Sequence, residues 1–123
     1  MTDFVWVCLG AALGAPARYL LDRAVQMRHD SVMPWGTMLV NVVGSLSLGL
    51  LLGISSGHDL PDAVTLALGT GLCGALTTYS TFSYETVRLL EDGARPQAGL
   101  NVALSLAAGL GAAVAGYSLG SLA

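Results

Sequence analysis

Lysine is absent from this chain, and only 11% of its residues carry a charge. Soluble domains use about 25%. So few charges cannot cover a globular surface, and hydrophobic residues make up 54% of the sequence. The composition points to an integral membrane protein, and the length of 123 residues suits one small domain. With no Lys and a formal net charge of −3 there is no basic patch to neutralise phosphates, which argues against nucleic acid as a partner.

Cysteine and histidine are scarce as well. Cys8 and Cys73 both fall in apolar segments and read as small buried hydrophobes, with neither a disulfide nor a zinc site implied. His29 and His58 sit in polar loops far apart in sequence and read as solvated. No acid, base and nucleophile cluster in one plausible pocket, which argues against an enzyme. No Lys or Arg precedes Arg18, so a positively charged leader region is missing and the first apolar segment reads as a retained helix.

What is present is four apolar segments separated by charge and turn residues. The reading is an all-α membrane protein of four transmembrane helices, at about residues 4–21, 36–53, 63–84 and 98–122. The first is short before Arg18 and contains Pro16, a candidate kink. Small residues recur at four-residue spacing as Gly10 and Gly14, Gly49 and Gly53, Gly116 and Gly120. That spacing lets helix backbones approach closely, either within the subunit or across a dimer. Four short helices enclose little interior, so a pore calls for a second subunit.

The third segment is the most distinctive. It carries Gly69, Gly71 and Gly74, then five consecutive hydroxyl residues from Thr77 to Thr81. Glycines and hydroxyls at membrane depth point to a helix broken near the bilayer centre, with backbone dipoles free to bind an ion. Carbonyls exposed between Gly74 and Thr77 need a partner, and a bound Na⁺ would supply one. Tyr79 and Phe82 share a helical face; their ring edges carry partial positive charge and attract an anion, or the rings simply pack in the core. Asn41, mid-segment, either serves the function or hydrogen-bonds between helices. Asn101, Ser105 and Gly109 share one face of the fourth segment, as a polar path or with Ser105 bonded back to its own helix. Arg18 and Glu85 lie near segment ends as interfacial or vestibular charges.

These stretches together resemble one family. Gly14-Ala-Pro-Ala-Arg-Tyr19, then Gly36-Thr37 with Asn41 and Gly44-Ser45, are similar to its first two helices. The run from Gly71 through Phe82 to Glu85 is similar to its most specific motif, and Asn101, Ser105 and Gly109 fit its fourth helix. The family is the Fluc (CrcB) fluoride ion channels, and the resemblance covers essentially the whole chain. It implies a passive, fluoride-selective channel in the plasma membrane of a prokaryote, built as an antiparallel dimer of four-helix subunits with two fluoride pathways. It further implies a structural Na⁺ at the dimer centre, held by the backbone carbonyls of Gly74 and Thr77. Asn41, Tyr79, Ser80, Thr81, Phe82 and Ser105 would line the fluoride path, with Arg18 and Glu85 structural or vestibular. Two positions depart from the pattern. Tyr79 stands where Phe is common, so an added hydroxyl either donates to the anion or obstructs it. Gly109 replaces a hydroxyl found in some members.

A small proton-coupled drug exporter is the rival, since it too has four helices and dimerises. It needs a titratable carboxylate deep in the membrane, and the segments here hold none. All five Arg fall on the side of the first and third loops or at its edge. The positive-inside rule then puts both termini outside and gives the subunit one preferred orientation, with an inverted partner that is a sister chain or a second copy.

Overall fold

Long runs of Ala, Leu and Val between charged turns become helices here. The computed structural model describes residues 2–28 and 32–123, so His29 lies outside the described residues. The first apolar segment forms α1 (Thr2–Arg28), which continues through Pro16. Proline removes one backbone donor, while Ala11, Ala12, Leu13, Ala15 and Ala17 around it are strong helix formers. The helix therefore outruns the expected 4–21. At about 1.5 Å per residue its 27 residues exceed the ~30 Å hydrocarbon thickness, so its last turns reach the interface.

The second and fourth apolar segments form α2 (Trp35–Gly57) and, at the end of the chain, α6 (Arg95–Ser121). Pro34 precedes α2, and Pro96 occupies the first turn of α6, where its missing N–H leaves no bond unmade. These two helices and α1 are each long and apolar enough to cross a membrane. They turn large apolar side chains outward, such as Phe4 at 72% and Leu110 at 67% exposure, a surface suited to lipid. Cys8 is exposed on the outer side of α1 rather than buried, whereas Cys73 is buried as expected, and both are free thiols.

The third segment is built in two arms. In the first, α3 (Asp62–Thr65), a π-helical stretch (Leu66–Cys73) and α4 (Gly74–Leu76) follow one another without a gap. Thr77 then becomes extended, with φ −82° and ψ 159°. The second arm is α5 (Ser80–Glu91). Neither arm alone approaches the ~20 residues of a helical crossing. The expected break spans Gly74 to Thr77, yet Gly74 is helical and the irregular residues are 77–79. The difference has a physical cause. Gly71 serves close packing against α1 and Gly74 stays within the helix, while the hydroxyl residues after them can replace lost backbone partners with side-chain ones. Gly93, at φ +81°, closes α5 and turns the chain into α6, with the Ala94 N–H bonded to the Leu89 carbonyl at 2.8 Å.

Two parallel pairs organise the molecule. Along α2 and α6, Gly49 faces Ala113, Gly53 faces Tyr117, Gly116 faces Leu46 and Gly120 faces Leu50. Along α1 and the π-helical stretch, Gly10 faces Ala67, Gly14 faces Leu72 and Gly71 faces Val7. All three glycine pairs singled out by spacing are thus used within the subunit. Ring nitrogen Nε2 of His58 lies 3.2 Å from the Ala123 carbonyl, which places the second loop beside the C-terminus.

A β-carbon at Gly116 would come within 2.3 Å of the Leu46 carbonyl oxygen, while at Gly111 it would meet nothing within 4 Å. Gly116→Ala should therefore lose roughly 1–3 kcal/mol of stability. Gly111→Ala should be neutral or gain up to about 1 kcal/mol from helix propensity. Thermal unfolding in detergent reads both; equal melting temperatures would contradict the α2–α6 packing.

Candidate functional site

Leaving the helix at Thr77 strands several peptide groups, and nearby side chains take them up. The last regular bond of the first arm runs from the Thr77 N–H to the Cys73 carbonyl at 3.0 Å. The Thr77 hydroxyl donates to that same carbonyl at 3.0 Å. Asn41 of α2 then grips Thr78 with both ends of its amide. Its Oδ1 accepts the Thr78 N–H at 2.7 Å, and its Nδ2 donates to the Thr78 carbonyl at 3.0 Å. The Thr78 hydroxyl accepts the Thr81 N–H at 3.2 Å, filling one of the vacant donors at the start of α5. Arg18 reaches across from α1, its Nη1 3.4 Å from the Thr77 carbonyl.

A cleft of about 490 Å³ opens beside this break. Asn41, Gly74, Thr77, Tyr79, Phe82 and Ser105 all line it. The Tyr79 and Phe82 rings lie 6.2 Å apart at centroid and are tilted by 43°, so their edges and faces are not parallel. Tyr79 is 80% exposed on the isolated subunit, whereas Phe82 is half-buried. The lining is mostly apolar, with polar groups concentrated at the break. Such a surface presents a few polar groups and aromatic ring edges, which carry partial positive charge.

Two further polar clusters fix α5. Thr37, one turn before Asn41 on α2, donates its hydroxyl to Glu85 Oε1. On the other side, Asn101 Nδ2 donates to Thr86 Oγ1 at 2.9 Å, and Thr86 Oγ1 donates to the Phe82 carbonyl at 2.8 Å. Ser105 is 3.4 Å from Asn101 Oδ1, a side-chain partner rather than its own helix backbone.

Of the residues expected at the fluoride path, Asn41, Tyr79, Phe82 and Ser105 converge on the cleft. Ser80 and Thr81 do not line it: their hydroxyls lie 3.4 and 3.2 Å from Thr78 Oγ1. Arg18 and Glu85 also stand outside the lining, bonded to Thr77 and Thr37. Asn41 is both a lining residue and an interhelical brace. Sequence reading misses Thr37, Thr78 and Thr86 as specific partners, although Thr37 stands in the Gly36-Thr37 stretch, Thr78 in the hydroxyl run and Thr86 one turn from Phe82. Among the carbonyls at the break, that of Gly74 loses its helical donor. The N–H that would close the helical turn onto the Gly74 carbonyl is that of Thr78, and it donates to Asn41 instead.

Residues 5–117 match the family described as CrcB-like protein, Camphor Resistance (CrcB). A Streptomyces avermitilis protein named fluoride-specific ion channel FluC 1 is 59% identical over 114 residues, covering 93% of this chain and 92% of that protein. A Frankia casuarinae protein of the same name is 58% identical over 123 residues, covering 95% of each. A Cutibacterium acnes protein named fluoride-specific ion channel FluC 2 is 42% identical over 118 residues, covering 95% of this chain and 96% of that one. With one family matched from α1 into α6 and relatives this similar over almost their whole length, the chain belongs to the CrcB family.

Proposed function

We propose that this chain is a subunit of a fluoride-selective passive channel that lets cytoplasmic fluoride leave a prokaryotic cell. The observation that carries the reading is the cleft where the interrupted backbone, Asn41 and the Tyr79–Phe82 ring pair meet. Relatives named as fluoride-specific channels support it. Fluoride enters acidified cells as neutral HF and ionises inside. A selective pore lets the anion return down its electrochemical gradient, with no energy-coupling cofactor needed.

In this reading the chain crosses the membrane four times, and the arms 62–76 and 80–91 form the third crossing, interrupted near the bilayer centre. A second subunit packs inverted against it, and fluoride moves along Asn41, Tyr79, Phe82 and Ser105. Each amide NH₂ has two protons, so Asn41 keeps one N–H for the anion while the other holds Thr78. Ser80 and Thr81 act one step back, by bonding Thr78. Na⁺, where bound, supplies a fixed positive charge for the carbonyls freed by the break. The Gly74 carbonyl fits that role because its helical donor is engaged elsewhere. The Thr77 carbonyl shares its position with the Arg18 guanidinium.

Fluoride efflux from liposomes holding the purified protein, read with a fluoride electrode, tests the function. Rapid efflux is expected, with chloride left behind. No fluoride efflux, alone or with a sister subunit, would overturn the assignment. Within that assay Phe82→Ala should slow efflux strongly while the protein still folds. Asn41→Ala should slow it too, and should also lower the melting temperature. It leaves the Thr78 N–H and carbonyl without partners, at roughly 1–3 kcal/mol for each buried group.

The arginine distribution adds an orientation. All five Arg lie toward the first and third connections, which puts those connections in the cytoplasm and both termini outside. A subunit held in one orientation pairs with an inverted sister chain rather than with a flipped copy of itself. A C-terminal tag should then be accessible from one membrane face only when the chain is expressed alone; equal labelling from both faces would exclude the fixed orientation.

A further inference from the structure

Asn101 is 1% exposed, the most deeply buried polar side chain on α6, and it does not line the cleft. Its two amide ends nonetheless lead to two residues that do. The direction of each bond follows from proton counting. The Thr86 hydroxyl has one proton, and it goes to the Phe82 carbonyl at 2.8 Å. Thr86 can therefore only accept from Asn101, which fixes the amide with Nδ2 toward Thr86 at 2.9 Å. Oδ1 then faces Ser105, and an oxygen acceptor there draws the Ser105 proton, over 3.4 Å. Proton donation runs one way, from Ser105 through Asn101 and Thr86 to the turn of α5 that carries Phe82.

We propose that Asn101 is a positioning residue for permeation: it sets the place of Phe82 through Thr86 and the direction of the Ser105 hydroxyl through Oδ1. α5 needs such a brace because its start is cut loose from α4 at Thr77. Upstream of Phe82 the arm is tied to α2 by Asn41 at Thr78, and downstream by Thr37 at Glu85. Asn101 supplies the tie to α6, which is itself locked to α2 through Gly116 and Gly120. While Ser105 donates to Asn101 it shows lone pairs, not its proton, to the cleft. An anion at Ser105 thus competes with Asn101 for a single proton.

This inference rests on the channel reading, and the test separates the two. Thr86→Val, Thr86→Ser and Asn101→Leu are reconstituted beside the parent protein, and fluoride and chloride efflux are measured together with amide hydrogen exchange across α5. Displacing a positioned group by about 1 Å costs up to ~10²-fold, so Thr86→Val and Asn101→Leu should slow fluoride efflux roughly tenfold or more and admit more chloride. Thr86→Ser keeps the hydroxyl and should behave as the parent. The double variant should be no slower than the worse single one, because both cut one chain of bonds. Exchange should quicken in α5 and stay unchanged in α2. Parent-like efflux and selectivity in Thr86→Val would overturn the proposal, as would a Thr86→Ser that fails equally. Should Asn101→Leu not fold, Thr86→Val decides. A parent that conducts no fluoride would end the channel reading instead, and α5 exchange would still decide the brace: unchanged exchange in Thr86→Val overturns it.

Discussion

A peptide group that leaves a helix away from water must find another partner, and leaving one unpaired costs several kcal/mol. The rest of this molecule follows from where the chain accepts that cost. At Thr77 the third segment stops being a helix, and the peptide groups of Thr77, Thr78 and Thr81 meet specific partners. Asn41 takes both sides of Thr78, the Thr78 hydroxyl takes the Thr81 N–H, and Arg18 comes to the Thr77 carbonyl. The break is therefore a built feature, with its polar groups drawn from α1, α2 and α5. Because three elements supply those partners, the cleft beside the break has its polar lining fixed in place.

Fixing it requires that the supplying helices do not slide. The glycine contacts provide this by steric means. Along α2 and α6, carbonyl oxygens of one helix occupy the space that β-carbons of the other would fill. A close-packed pair of this kind has one register, since a shift would drive a side chain into backbone. Asn41 rides on α2 and Ser105 on α6, so these cleft-lining residues inherit that register, as do Thr37 and Asn101 behind them. On the opposite side Gly10, Gly14 and Gly71 dock the first arm against α1, which brings Arg18 to the end of that arm.

Much of this plan can be read from the sequence, and the remainder fails for identifiable reasons. The apolar segments announce themselves because charge is so rare between the loops. The end of α1 is harder to read, because Arg18, Asp22 and Arg23 resemble a membrane boundary, although long side chains let a helix carry charge well into the interface. The break is legible as an event but not in position. Glycine reads as the weak point, whereas Gly74 stays helical and the hydroxyl run absorbs the interruption. Asn41, Tyr79, Phe82 and Ser105 stand out by type, but nothing about Thr37, Thr78 and Thr86 marks which partner each one takes. Asn41 meets Thr78 across a sequence separation of 37, and Thr37 meets Glu85 across 48. Spacing within one helix carries no information about such pairs.

The hydrogen-bond inventory also explains why aromatic rings belong at this cleft. The Thr77 proton goes to Cys73, that of Thr86 goes to Phe82, and that of Ser105 is drawn toward Asn101. A passing anion that took any of them would break one of the fold's own hydrogen bonds, at roughly 0.5–1.5 kcal/mol. Such a donor holds an anion well only by loosening the protein around it, which suits binding better than passage. The second N–H of Asn41 is free of that conflict. So are the C–H edges of Tyr79 and Phe82, which carry partial positive charge and have no other hydrogen-bonding task. Ring edges therefore offer attraction that costs the fold nothing when the ion moves on. If the cleft is the ion path proposed above, its few polar donors and unengaged ring edges favour release as much as capture, and conduction demands that balance.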